Sequence, residues 1–158
     1  MSLEGRLSGQ ELLTFFSRLY GLKPHEFQSR VDLINRELDL EAVLQKPVMS
    51  MSSGMRQKLV IARALIGNPD LLLLDEATRG LDVFARRGLL EFVLKFRESG
   101  GSVVYSTHVM SEAEEICDQV GFLHQGHLIY LGTIAQAKDK FGGKNLESAF
   151  VAAVGSQQ

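Results

Sequence analysis

The sequence predicts an α/β fold built on a parallel sheet and preceded by a helical segment, and three observations carry that expectation. Stretches of helical and strand character alternate from Met51 onward, at 52–66, 71–74, 83–97 and 102–106, and such alternation argues crossover connections between parallel strands. The first fifty residues show apolar spacings of three and four, the period of a helix. At 158 residues with 45% hydrophobic content, the chain has the size of one ordinary domain, or of a core carrying a smaller subdomain.

The elements follow in order. Ser8 with Glu11 three residues on has the form of a capping box, and Leu12, Phe15, Phe16, Leu19 and Tyr20 continue at helical spacing until Gly21. After Pro24, the residues Phe27, Val31, Ile34 and Leu38 define a second helix, and a short apolar segment reaches Leu44 before Pro47. Leu71, Leu72, Leu73 and Leu74 form a run suited to a fully buried parallel strand. A helix is expected at 110–117, then a hairpin turning at Gln125 and Gly126, then a helix at 134–141. The closing residues 155–158 read as a disordered tail.

Composition excludes several function classes. The formal charge of -2 and a pI near 6.1, with lysine and arginine spread along the chain, leave no basic footprint for nucleic acid. Cys117 is the single cysteine, which rules out an internal disulfide and fits a reducing cytosol. Its plain reading is a half-buried helix thiol. The apolar runs fall far short of the roughly 20 residues that a spanning helix needs, so a membrane role has to come through a partner. The opening residues lack the apolar stretch of a secretory signal.

The chemistry concentrates between Met51 and His108. Ser52, Ser53 and Gly54 lie just before a run whose apolar positions Met55, Leu59, Ala62 and Ile66 share one helix face. They mark a helix N-terminus, whose unpaired N–H groups and roughly half a positive charge can receive a phosphate. Taken alone, a serine-glycine turn is an ordinary N-cap. The strand at 71–74 then delivers Asp75 and Glu76 at its carboxyl end, where open parallel sheets bind ligands and a carboxylate pair can serve a cation and a water. Asp82 precedes the next helix, and His108 follows the next strand. Neighbouring strands would bring Glu76 and His108 to one rim. A lone histidine in that place is ordinary; the ordered set is not.

The residues in this order resemble the ATPase subunits of ATP-binding cassette (ABC) transporters, of the efflux type that exports drugs or sodium. Met51 to Met55 is similar to the signature motif, Leu71 to Glu76 to the Walker B strand, Gly80 to Asp82 to the D-loop and Ser106 to His108 to the switch histidine. The stretch from Glu112 to Thr133 resembles the segment after that histidine, and Asn145 to Phe150 the closing helix of export-type subunits. The likeness runs from about residue 6 to about residue 154.

The resemblance implies a RecA-like P-loop NTPase fold in which residues 1–68 are the helical subdomain with the signature motif and residues 69–154 the second part of the ATPase core. It implies two ATPase subunits, alike or different, closing head to tail on ATP. Ser52, Ser53, Gly54 and Met55 would serve a partner's ATP, and Asp82 would lie at the dimer seam. Asp75 would hold Mg2+, Glu76 would act as general base or orient the attacking water, and His108 would contact the γ-phosphate. A transmembrane permease subunit would be the second partner, docking on helices between about residues 9 and 45, with the ATPase peripheral to the cytoplasmic face of the cell membrane. The permease would select the exported molecule.

The sequence departs from the family pattern in several places. Ser53 stands for a second glycine and Met55 for glutamine, a version familiar in the efflux branch; Ala77 and Val83 replace prolines and Arg79 a small polar residue. The larger departure is that no stretch reads G-x-x-x-x-G-K-[ST]. The nearest spacing, Gly121 to Gly126, is followed by His127 and Leu128 within the expected hairpin. The chain therefore reads as the back portion of a subunit, inactive alone, with a dissociation constant for ATP weaker than about 1 mM. A strand edge opened in this way is expected to recruit another copy. Two other classes fit parts of the pattern: the rear half of a chromosome-maintenance or DNA-repair ATPase head, disfavoured by the lack of sustained heptads, and a non-catalytic interaction module, disfavoured by the intact Asp75, Glu76 and His108.

Overall fold

A computed structural model describes residues 3–156 and divides into two compact units, Met1–Val104 and Tyr105–Gln158. In the first unit, helix α1 (Gly9–Leu19) begins at the reciprocal Ser8–Glu11 capping box that the sequence announces. Its buried stripe is Gly9, Leu13 and Ser17, whereas Phe15, Leu19 and Tyr20 are exposed. The expected apolar face is thus turned outward. The cause is close approach: a Cβ at Gly9 would lie 2.4 Å from the Val43 carbonyl oxygen, so the small residues set the side on which α1 meets α3 (Glu41–Leu44). The Arg63 guanidinium stacks 5.0 Å from the Phe16 ring centre.

Helix α2 (Pro24–Leu38) starts with proline in its first turn and buries Phe27, Val31, Ile34 and Leu38, the residues its spacing selects. It packs on α4 (Ser53–Leu65) and α5 (Val83–Glu98). Leu13, Leu40 and Ile66 are fully buried, each worth roughly 1.5–3 kcal/mol relative to exposure.

Strand β1 (Leu71–Asp75) pairs with β2 (Ser102–Ser106) through the α5 crossover, a parallel arrangement as expected. The expectation of a fully buried strand is corrected: Leu72 and Leu74 are buried, but Leu71 is 50% and Leu73 72% exposed. Successive strand side chains point to opposite faces, and only one face of β1 is covered among the described residues.

In the second unit, α6 (Met110–Ile116) ends at Cys117, a half-buried thiol that forms no disulfide. Strands β3 (Val120–His124) and β4 (His127–Gly132) form an antiparallel hairpin. Its turn is where the sequence puts it, with Gln125 at φ 48° and Gly126 at φ 81°, the left-handed pair that a two-residue hairpin loop requires. Helices α7 (Ile134–Phe141) and α8 (Leu146–Gly155) pack together, and Phe122, Tyr130, Phe141 and Phe150 form an aromatic cluster with centroid separations from 5.2 to 6.2 Å. Where a tail was expected, α8 continues to Gly155, and Ser156 closes it by donating to the Ala153 carbonyl at 2.8 Å. Residues 157 and 158 of that expected tail lie outside the described residues.

Candidate functional site

Helix α4 begins as the sequence requires. Ser52 is its N-cap, in an extended conformation, and its Oγ accepts from the Met55 N–H at 3.2 Å. That role uses the hydroxyl as an acceptor and leaves its hydrogen for an oxygen-rich ligand. Ser53 reaches further along the chain, donating to the Gly80 carbonyl at 3.2 Å. An added Cβ at Gly54 would meet Ala85 at an ordinary 3.7 Å, so packing within this unit does not demand glycine there. The bare backbone beside a helix N-terminus suits the approach of an anion.

Ser52, Gly54, Met55 and Asp82 line one groove of about 410 Å³, which also takes in Lys58 and Phe84. Asp82 caps α5 by accepting from the Ala85 N–H at 2.9 Å. Lys58 bonds the Asp39 carbonyl at 3.1 Å and approaches the Asp39 carboxylate at 3.6 Å. The first turn of α5 is strongly exposed, with Phe84 89% accessible.

Asp75 ends β1, and Glu76 follows with φ 42°, a left-handed conformation that few side chains other than glycine adopt without strain. The turn after it is tight: the Arg79 N–H bonds the Glu76 carbonyl at 2.9 Å, the Leu81 N–H bonds the Thr78 carbonyl at 3.1 Å, and Ala77 and Thr78 are buried. The Arg79 guanidinium lies 3.6 Å from the Glu76 carboxylate, an exposed pair of little energetic weight. Strain held by a buried support at a strand end is the arrangement in which reactive groups are kept in place.

His108 belongs to the second unit and stands two residues beyond β2. It borders a recess of about 530 Å³ shared with Met110, Ser111 and Glu114 and with Glu147 and Phe150 of α8. Thr107 and Val109, on either side of it, are tied by a bond from the Val109 N–H to Thr107 Oγ1 at 3.0 Å. The structure therefore joins Ser52, Gly54, Met55 and Asp82 around one groove, ties Ser53 to the Gly80 carbonyl in the loop after β1, and sets His108 within a separate compact unit.

No cluster of three or more potential metal-ligating side chains occurs among the described residues. Magnesium in general keeps several waters and binds through one or two carboxylates plus substrate phosphates. Asp75 and Glu76 at the end of β1 provide such carboxylates.

Sequence reasoning missed Glu112, buried at 3% exposure and bonded to the hydroxyls of Tyr105 and Thr107. A signal was present. Glu112 shares the helical spacing of Val109, Ala113 and Ile116, and an acid on the face that an amphipathic helix buries is unusual.

The α/β core with its parallel strand pair has the P-loop NTPase fold, and comparison with known proteins supplies the family. A family model described as ABC transporter matches residues 2–79. The ABC transporter ATP-binding protein NatA of Bacillus subtilis (strain 168) is 34% identical over 149 residues, covering 94% of this chain and 61% of NatA. The Linearmycin resistance ATP-binding protein LnrL of the same organism is 32% identical over 146 residues, covering 92% of this chain and 47% of LnrL. The Phospholipid-transporting ATPase ABCA3 of Rattus norvegicus is 35% identical over 157 residues, which is 99% of this chain and 9% of ABCA3. A solved structure described as the ATP binding subunit of an ABC transporter superposes with a TM-score of 0.85 at 32% identity, covering 97% of this chain and 65% of that one. The chain belongs to the ABC transporter ATP-binding proteins, and it spans less than two thirds of each of these relatives.

Proposed function

We propose that this chain supplies the signature, hydrolytic and switch residues of a magnesium-dependent ATPase that powers export through a membrane partner. The observation that carries the reading is the bond from Ser53 to Gly80, which joins the α4 N-terminus to the loop after Asp75 and Glu76 within one compact unit. Phosphoryl transfer depends on positioning and charge neutralisation more than on covalent participation by the protein, and positioning is what the capped turns and the strained strand end provide.

In this reading Ser52, Ser53, Gly54 and Met55 meet the phosphates of ATP held by a second ATPase subunit, with Asp82 at the seam. Glu76 orients or deprotonates the attacking water, and His108 donates to the γ-phosphate oxygens. Asp75 is the residue that would hold magnesium, through water. When bound, the ion neutralises charge on the β- and γ-phosphate oxygens. Residues 1–68 act as the helical subdomain and 69–154 as the second part of the ATPase core. The β- and γ-phosphate cradle comes from a phosphate loop outside this sequence, and the chain alone neither binds ATP tightly nor hydrolyses it.

The export reading draws support from the relatives' names, linearmycin resistance for LnrL and phospholipid transport for ABCA3. No described helix is long and apolar enough to cross a membrane, and the exposed Phe15, Leu19 and Tyr20 of α1 suit contact with a transmembrane subunit at the cytoplasmic face. A chimera tests the proposal: residues 1–158 replace the segment of NatA that they match, and magnesium-dependent phosphate release is measured. Turnover that disappears on Glu76→Gln supports it; turnover indifferent to that change refutes it.

A further inference from the structure

We propose that Glu112 is a positioning residue for His108, its buried carboxyl group holding the strand-to-helix turn that carries the histidine in one conformation. The inference rests on the reading of His108 as the switch histidine.

Glu112 lies on α6 at 3% exposure. Its Oε2 accepts from the Tyr105 hydroxyl at 2.8 Å and from the Thr107 hydroxyl at 3.0 Å. Thr107 Oγ1 in turn accepts from the Val109 N–H at 3.0 Å, and the Glu112 N–H bonds the Val109 carbonyl at 3.0 Å. One oxygen therefore collects a hydroxyl from β2 and a hydroxyl from the turn, and the residues on both sides of His108 are fixed to the same glutamate.

The energetics make a purely space-filling role a poor account. Burying a carboxyl group is costly, and a leucine or methionine of similar volume would pack against Ala113 and Ile116 without that cost. What an apolar side chain lacks is direction. Two hydroxyl bonds converging on one buried oxygen, in surroundings of low dielectric, define the position of the turn far more narrowly than apolar contact does. A histidine that must meet a phosphate oxygen benefits from that definition, because a displacement of about 1 Å can cost about 100-fold in rate.

The test uses the full 158-residue chain and the imidazole cross-peaks of its four histidines in a proton–nitrogen correlation spectrum. His108→Gln assigns the His108 signals; His25, His124 and His127 serve as internal references. Glu112→Ala removes the acceptor, and the expected result is that the His108 signals shift and broaden while the references stay in place. Glu112→Gln keeps a carbonyl oxygen able to accept both hydroxyl hydrogens, and it is expected to restore the wild-type position and linewidth. His108 signals in Glu112→Ala that coincide with wild type would overturn the proposal, as would a Glu112→Gln spectrum as disturbed as that of the alanine variant. Should Glu112→Ala disturb all four histidines together, Thr107→Val decides: it deletes the bridging hydroxyl and keeps the side-chain shape. A selective change at His108 in that variant supports the proposal, and no change overturns it. The readout needs no nucleotide, so it can fail while the phosphate role of His108 stands, and the reverse.

Discussion

The Ser53 hydroxyl donates to the Gly80 carbonyl across 27 positions of sequence, and with that bond the start of α4 and the loop before Asp82 become one piece of structure. Both residues are exposed, so the bond contributes little to folding. Ser53→Ala is expected to lower stability by only about 0.5 kcal/mol, the low end for a solvent-accessible hydrogen bond, in urea denaturation. In the NatA chimera the same change lowers phosphate release by more than that loss of stability accounts for.

Ser52 acts first as a cap. Ser52→Ala should cost about 1 kcal/mol, whereas Ser52→Gly should cost a few tenths. Both variants lose the hydroxyl, so in the chimera their ATPase activities should fall alike although their stabilities differ. Activities that follow the stabilities instead would reduce Ser52 to a cap.

Glu76 carries a left-handed φ of 42°, which costs a side chain of this kind roughly 1–2 kcal/mol. Glu76→Gly relieves it and gives back part of the gain through a freer unfolded chain, so a net rise of up to about 1 kcal/mol is expected in chemical denaturation. Turnover in the chimera is lost in the same variant. More stable and inactive is the signature of strain kept for function.

Glu114 has its carboxyl held below the ordinary range, first by a hydrogen bond from Lys138 and also by the Leu146 N–H at 3.0 Å at the start of α8, with partial burial opposing both. A depressed carboxylate contributes stability that is fully present above its unfolded value, near 4.5, and lost as pH falls through the lower folded value. Acid denaturation of the second unit should therefore steepen below about pH 4.5, and Glu114→Gln should flatten that part of the profile without changing the slope near pH 7.

Leu71, Leu73 and Val104 are exposed on the β1–β2 pair, and we propose that this sheet surface recruits a second copy of the chain. Light scattering at rising concentration should report masses above the 17.5 kDa of one chain, and Leu73→Lys should shift the distribution toward the monomer. A single 17.5 kDa species at every concentration would contradict this.

Much of this architecture is legible in the residues themselves. The capping box at Ser8 and Glu11, the α2 face at Phe27, Val31, Ile34 and Leu38, and the turn at Gln125 and Gly126 depend on neighbours within one or two helical turns or one hairpin, and all appear as expected. The outward face of α1 was not legible, because it depends on Gly9 meeting the backbone at Val43, 34 positions away. The half-exposure of β1 was missed for a related reason: a leucine run fits a strand covered on both faces, and nothing in the run states how many layers are present. At the site, the cap by Ser52 and the strand-end position of Asp75 follow from local pattern. The Ser53–Gly80 bond and the burial of Glu112 do not, since each joins elements whose meeting only the folded chain defines.

The central claim is that this sequence holds the hydrolytic and signature residues but takes its phosphate cradle from elsewhere. Equilibrium titration of the 158-residue chain with Mg-ATP, run beside a turnover assay, tests it most directly. The account predicts binding weaker than about 1 mM and no phosphate release. Micromolar binding with magnesium-dependent turnover by the chain alone would contradict it, because a complete phosphate cradle would then have to lie among these residues.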